Sequence, residues 1–180
     1  MKQWTLQRRW TFAVSIVFHA LLMTVAYVLQ DVIFTYMNFF GLVPLLLPIV
    51  STGAAVYQGR VAGGISGIFA GILCDISFSE PTGVFTVLLT LTGLLVGLLA
   101  DTVMARAFAT YYISCAVVLA VSAFAQMFPL MFFENVPPYL LLGMAIRQTL
   151  YSILFALPIW FFVRALGKRA QRVSPSGRPM

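Results

Sequence analysis

The sequence predicts an all-α integral membrane protein, a bundle of six transmembrane helices with both termini in the cytoplasm. Its 180 residues are 61% hydrophobic and only 9% charged, with a mean hydropathy of +0.97. A soluble domain carries about a quarter of its residues as charges, whereas a lipid-facing surface needs almost none. Hydrophobic runs of about 20 residues, the length that crosses a bilayer, fill most of the chain. We therefore expect one membrane domain over residues 10–163 and no separate soluble catalytic domain.

The first two predicted spans differ in regularity. The first covers residues 10–30, is stopped by Asp31, and is too long for the apolar core of an export signal, so we expect it to be retained. The second covers residues 39–57 and carries Pro44 and Pro48 in its first half. Prolines are tolerated in spans when neighbouring groups satisfy the freed carbonyls. The second span is therefore expected to have a distorted or re-entrant start.

The remaining four spans follow at short intervals. The third covers residues 61–77 and ends in the turn sequence SFSEPTG, whose Ser, Pro and Gly residues favour a turn. The fourth covers residues 82–100. The fifth, residues 108–131, is followed by a Pro-Pro pair, where a helix cannot simply continue. The sixth covers residues 139–163.

Basic residues indicate the orientation, because cytoplasmic loops carry an excess of Lys and Arg. With six spans, every basic residue outside the spans falls on one side. These residues are Lys2, Arg8, Arg9, Arg60, Arg106, Arg164, Lys168, Arg169, Arg172 and Arg178. The three connections on the other side contain Asp31, Glu80 and Glu134, and only Asp101 is an acid on the basic side. Residues 1–9 are thus predicted to be a basic cytoplasmic N-terminus, and residues 164–180 a basic, disordered cytoplasmic tail.

The net charge of +6 has a simple membrane explanation. Positive loops and a basic tail beside anionic lipid headgroups account for it. A nucleic-acid surface would interleave basic and aromatic residues, and the tail KRAQRVSPSGRPM contains no aromatic residue. We expect membrane lipids as partners and no nucleic acid.

Glycines spaced by four mark the third span as a packing helix. Small residues at this spacing let another helix approach closely in lipid. Packing of spans three and four within the chain is the favoured interpretation, and homodimerisation or docking of a partner helix is the alternative. Because residues four apart rotate by about 40° around the axis, we expect parts of the stripe to meet different helices. The glycines are Gly59, Gly63, Gly67 and Gly71 in the third span, with Gly93 and Gly97 in the fourth.

Two charges lie clearly within predicted spans, and their depths are similar. Asp75 continues the glycine spacing near the outer end of span three, and Arg147 lies about two turns into span six from the outer side. Since each would be costly alone in lipid, we expect them to pair, directly or through water. The favoured role is to fix the order of the helices. The alternative is a polar floor for a cavity that opens outward.

Motifs for catalysis, metal binding or phosphate binding are missing from the sequence. A zinc-protease helix needs two histidines and a glutamate, whereas His19 is the single histidine, and we expect it to be packed or hydrogen-bonded. The glycines lack the terminal Lys-Ser/Thr of a phosphate loop. Cys74 and Cys115 fall in different spans and are expected to act as small packing residues. The sequence therefore predicts no enzyme, no cofactor and no metal.

The segment from Leu29 to Asp101 resembles a known family. It contains LQDVIF, the proline-bearing GLVPLLLPIV, and the run GGISGIFAGILCDISFSEPTG followed by an apolar span. This pattern resembles the bacterial rod shape-determining protein MreD family, which also agrees in length, span number and cytoplasmic termini. The chain departs from the usual family pattern at Cys74 and at Leu45–Leu47. The family has no established catalytic residues, so no assigned role is affected.

The resemblance implies a non-enzymatic scaffold of the cell-elongation machinery in the bacterial inner membrane. The implied partner is an MreC-like protein with a single transmembrane helix, with the actin-like MreB, RodA and its transpeptidase nearby. Such a scaffold would couple cytoplasmic filaments to peptidoglycan synthesis.

A different functional class is the alternative: the substrate-binding membrane subunit of a vitamin-type transporter. The six-helix subunits of energy-coupling factor transporters, the S-components, are similar in size, and the resemblance implies that MreD shares aspects of their fold. Those subunits commonly carry Ala-xxx-Ala in the first helix, whereas Ala13, Ala20 and Ala26 here lack that spacing. The scaffold is therefore the favoured function.

Overall fold

The computed structural model describes residues 17–34, 36, 43–77, 83–102, 107–133 and 137–171. Six helices and no strand occur within these ranges, which confirms the all-helical prediction. They are α1 (residues 17–34, with a π-helical segment Leu29–Phe34), α2 (Leu46–Gln58), α3 (Arg60–Ser77), α4 (Val84–Thr102), α5 (Phe108–Phe133) and α6 (Pro138–Gln171).

Four of the described helices are long and apolar enough to cross a membrane. These segments are Arg60–Ser77, Val84–Thr102, Phe108–Met127 and Pro138–Ala165. The described part of α1 and the whole of α2 are apolar but shorter. We call the end of the bundle with the α1–α2, α3–α4 and α5–α6 connections the predicted outer end, and the opposite end the predicted cytoplasmic end.

Helix α2 is the central element of the bundle. All its residues except Gln58 are buried, and it packs against α3, α4, α5 and α6. One apolar cluster joins it to α5 and α6 through residues such as Tyr111 and Val163, and another joins it to α1, α3 and α4 through Met23 and Leu89. The core therefore lies on both sides of α2.

The start of the predicted second span is irregular, as its two prolines indicated. Residues 43–45 are not helical and α2 begins at Leu46, while the predicted residues 39–42 lie outside the described part. Pro48 occupies the first turn of α2, where a missing N–H breaks no helical bond. Thirteen residues span about 20 Å, less than the roughly 30 Å of hydrocarbon. A short helix with a non-helical start is tolerated here because it is surrounded by protein.

The predicted tail is corrected. Residues 164–180 were expected to be disordered, but α6 continues as a helix to Gln171. Leu, Ala, Lys, Arg and Gln in this stretch all have high helix propensity, which explains the extension. Residues 172–180 and the predicted basic N-terminus 1–9 lie outside the described residues.

Candidate functional site

Helices α3 and α4 form the closest helix pair in the bundle, and glycines lie along both sides of their interface. A Cβ atom added to Gly63 would lie 2.5 Å from the carbonyl oxygen of Gly93, and one added to Gly97 would lie 2.5 Å from Cα of Arg60. Gly67 likewise faces the backbone of Leu89. The contacts are backbone against backbone, so no side chain can be accommodated there without moving a helix.

The stripe lies mainly against α4, and its first part also meets α2. Gly63, Gly67 and Gly71 all face α4, and Asp75 continues along the same helix. Gly63 additionally meets Ala55 of α2. Gly63 thus meets two helices, as the winding argument predicted, and the contact with α4 extends further along the stripe because a row of residues four apart is inclined to its own axis by about 26°. A neighbour that crosses at an angle can follow such a row along its whole length.

Gly59 has a different role from the other glycines. It is the single residue between α2 and α3, with a φ of 89° that side chains rarely adopt. Its N–H donates to the carbonyl of Ala55 and its own carbonyl accepts from Gly63. Gly59 therefore ends one helix and starts the next.

Asp75 holds the beginning of α4. Its Oδ1 accepts a hydrogen bond from the N–H of Phe85 at 3.0 Å. Its Oδ2 accepts from the N–H of Thr86 at 3.0 Å and from the Thr86 hydroxyl at 2.6 Å. The first N–H groups of a helix have no partner within that helix, and a negative charge at this end is favoured by the helix dipole. Asp75 thus caps α4 from the end of α3.

Asp101 caps α3 in the same way at the opposite end of the helix pair. It lies in the last turn of α4, and its Oδ2 accepts a hydrogen bond at 3.2 Å from the N–H of Arg60, the first residue of α3. This carboxylate is exposed, whereas that of Asp75 is partly buried. Each helix of the α3–α4 pair therefore begins against a carboxylate from the other.

The structure does not bring Arg147 to Asp75. The three hydrogen bonds from α4 occupy the Asp75 carboxylate, and within the described residues no ion pair joins it to Arg147. Arg147 is exposed on α6, a helix that does not pack extensively against α3. The expected pair is corrected for a physical reason: similar depth does not bring two side chains to the same side of a bundle.

A second polar cluster surrounds the start of α2, and the sequence analysis missed it. Gln30, in the π-helical segment of α1, accepts hydrogen bonds through Oε1 from the N–H groups of Leu46 at 2.8 Å and Leu47 at 3.4 Å. Ser152 of α6 accepts from the N–H of Leu45 at 2.9 Å. These side chains satisfy backbone groups that the non-helical start of α2 would otherwise leave unpaired in the interior.

Two further glutamines complete this cluster. Nε2 of Gln148 in α6 donates to the carbonyl of Val43 and to Oε1 of Gln126 in α5, both at 3.1 Å. The cluster thus ties α1, α5 and α6 to the segment that leads into α2. The available signal was three glutamines within or at the ends of predicted apolar runs, since uncharged polar residues inside a membrane also require partners.

A model of a known protein family matches most of the chain. The sequence model of the family described as rod shape-determining protein MreD matches residues 8–170. The chain belongs to the MreD family. It is therefore a rod-shape-determining, multi-pass membrane protein of a family that forms part of the MreBCD shape machinery. No curated protein and no solved structure matched the chain.

In this MreD-family chain, His19 lies in the interior between α1 and α2. Its side chain is 4% exposed and its ring nitrogens lie 3.1 and 3.4 Å from Nε2 of Gln58. A cavity of about 70 Å³ beside this pair is lined by both residues, Ser66 and mostly apolar side chains. Cys74 and Cys115 are buried and free. No group of three potential metal ligands occurs within the described ranges.

An aromatic cluster marks the predicted cytoplasmic end of α6. The indole N–H of Trp160 donates to the Tyr57 hydroxyl at 2.6 Å, and Phe108 packs edge-on against Trp160 with ring centroids 4.9 Å apart. The guanidinium of Arg164 lies 4.8 Å from the centroid of Trp160. Aromatic rings with a polar edge favour the membrane interface, and a cation over the indole face is attracted by the ring. The cluster connects α2, α5 and α6.

Proposed function

We propose that this chain is a non-enzymatic scaffold of the cell-elongation machinery in the bacterial inner membrane. It would couple cytoplasmic filaments to peptidoglycan synthesis through an MreC-like partner, with MreB, RodA and its transpeptidase nearby. The observation that carries this proposal is the family match over residues 8–170. The basic residues at one side of the predicted bundle support cytoplasmic termini.

The polar interior is consistent with a structural role. The side chains of Asp75, Gln30, Ser152 and Gln148 each bond to backbone groups of another element. We infer that these groups stabilise an irregular but fixed bundle. Asp75 would then act in helix packing and not as the floor of an outward cavity.

Short connections determine how such a scaffold can bind its partners. One residue joins α2 to α3, and the described ends of the other neighbouring helices from α3 to α6 are separated by only a few residues. Little soluble surface is available, so a partner has to contact helices within the membrane or the short basic cytoplasmic face. The glycines of α3 and α4 are engaged with each other, which favours another surface for the partner.

Affinity purification from native membranes tests the proposal. A tagged full-length chain should recover an MreC-like protein, and depletion of the chain in a rod-shaped host should give rounded cells that the wild-type gene restores. Recovery of a nucleotide-binding ATPase pair without an MreC-like protein would overturn the scaffold in favour of a transporter subunit. Normal rods after depletion would equally count against it.

A further inference from the structure

Arg147 is a charged residue on the outside of a membrane helix. It lies within the apolar segment Pro138–Ala165 and is exposed. Its neighbours on the same face, Leu150 and Leu154, are 65% and 62% exposed. No hydrogen bond or ion pair to Arg147 occurs in the described part of the chain. The charge therefore stands on an apolar surface, and the described residues supply no counter-ion for it.

The depth of Arg147 makes this arrangement costly. It lies nine residues after the start of α6 at Pro138, or about 14 Å along the helix. Tyr139, beside that start, is highly exposed and suited to the membrane interface. Ionisable residues inside a membrane normally face a partner or a water-filled cavity. The partner of Arg147 is therefore not among the described residues, and a second molecule can supply it.

Gly143 provides a second, independent observation on the same face. It lies one turn before Arg147, and a Cβ atom added to it would meet nothing within 4 Å. By contrast, a Cβ atom added to any of the described glycines inside α2, α3 and α4 would contact another helix. A glycine that leaves space on the surface of a membrane helix permits close approach of another backbone.

We propose that the outer part of α6 is a docking surface for a transmembrane helix that carries an aspartate or glutamate. The surface consists of Leu140, Gly143, Arg147, Leu150 and Leu154, which we call the α6 face. These residues follow a 3-4-3-4 spacing, the spacing with which two helices pack side by side. The carboxylate pairs with Arg147, and the partner backbone passes over Gly143.

A defined peptide tests this chemistry without the natural partner. The full-length protein is reconstituted in phosphatidylcholine vesicles with synthetic Leu/Ala transmembrane helices that carry one Asp, or Leu, at the depth of Arg147. Association is measured by energy transfer between labels. We expect about tenfold tighter association of the Asp peptide, the factor that corresponds to a polar contact between membrane helices.

Variants identify the surface. Arg147→Gln should remove the preference for the Asp peptide, Arg147→Lys should retain it, and Gly143→Leu should weaken both peptides. The matched control is Ala120→Leu on an exposed face of α5, which should behave as wild type. Equal binding of both peptides, or a preference that survives Arg147→Gln, overturns the proposal. If the protein binds both peptides equally and Arg147→Gln loses contacts with lipid headgroups, the counter-ion of Arg147 is lipid phosphate. That result also overturns the proposal.

Purification from cells links the α6 face to the scaffold, and this step rests on the proposed function. Gly143→Leu and Arg147→Gln should lower recovery of the MreC-like protein about tenfold, while the Ala120→Leu control recovers it fully. If the wild-type chain recovers none, the proposed function fails, and the peptide measurement still decides the α6 face. If wild type and variants recover it equally, the scaffold stands and the α6 face is wrong.

Discussion

Asp75 and Asp101 close opposite ends of the same antiparallel helix pair. Asp75 at the end of α3 binds the first turn of α4, and Asp101 at the end of α4 binds the first N–H of α3. Between them the helices touch backbone to backbone along their glycines. Charge and shape therefore specify one relative placement of the two helices, because sliding either helix by a turn would break both caps and the glycine contacts between them.

The two caps should contribute unequally to stability. Asp75→Asn removes the negative charge and one of two acceptors at a partly buried site, so we expect a loss of about 1–2 kcal/mol in the free energy of unfolding. Asp101→Asn changes a carboxylate that is exposed to solvent and whose bond to the Arg60 N–H is longer, and it should cost about 0.5 kcal/mol or less. Thermal unfolding of the purified protein in detergent measures both. Equal effects would contradict the structural assignment.

Glycine substitutions should distinguish positions that are packed against another helix from positions that face open space. Gly67→Ala places a methyl group against the backbone of Leu89, which cannot yield as a side chain could, and should cost about 1–3 kcal/mol. Gly143→Ala meets no atom and should be neutral or stabilising by up to about 1 kcal/mol through higher helix propensity. Unfolding midpoints of the isolated protein give the comparison. A destabilised Gly143→Ala would show that this position is already packed within the chain.

Two serines offer a matched test of the cluster at the start of α2. Ser152→Ala leaves the buried N–H of Leu45 without its acceptor and should cost about 1–3 kcal/mol. The Ser122 hydroxyl is also buried, but it has no hydrogen-bond partner among the described residues. Ser122→Ala should therefore be neutral or stabilising. If Ser122→Ala lowers the free energy of unfolding more than Ser152→Ala does, the role given to Ser152 is wrong.

Much of the helical pattern could be predicted from the sequence because hydrophobic runs and turn residues determine it locally. The predicted spans 61–77 and 82–100 differ from α3 and α4 by two residues or fewer at each end. The start of α2 was less predictable because its backbone is satisfied by side chains far along the chain. Pro44 and Pro48 indicated an irregular start, but nothing local indicated that Gln30 and Ser152 would stabilise it.

The candidate site shows the same limit. Spacing and cost in lipid identified Asp75 and Arg147 as residues that need an explanation, yet depth alone paired them incorrectly. The first turn of α4 lies only ten residues after Asp75, and its unpaired N–H groups are acceptable partners for a carboxylate. Backbone donors close along the chain therefore compete with a distant side chain for the carboxylate. Arg147 then remained exposed, which the sequence could not reveal because it does not give the direction in which α6 faces.

The Trp160–Tyr57 hydrogen bond should be measurable as a coupling between α6 and α2. Tyr57→Phe and Trp160→Phe each remove one partner from a largely buried contact and should cost about 1–2 kcal/mol in unfolding free energy. The double variant should be less destabilised than the sum by about 1 kcal/mol, because either single substitution already removes the hydrogen bond and the second cannot remove it again. Tyr139→Phe combined with Trp160→Phe is the control. Tyr139 is exposed at the start of α6, 21 residues before Trp160 in the same helix, so these two changes should add. If the effects of Tyr57→Phe and Trp160→Phe on the free energy of unfolding add, the 2.6 Å contact does not hold α6 to α2.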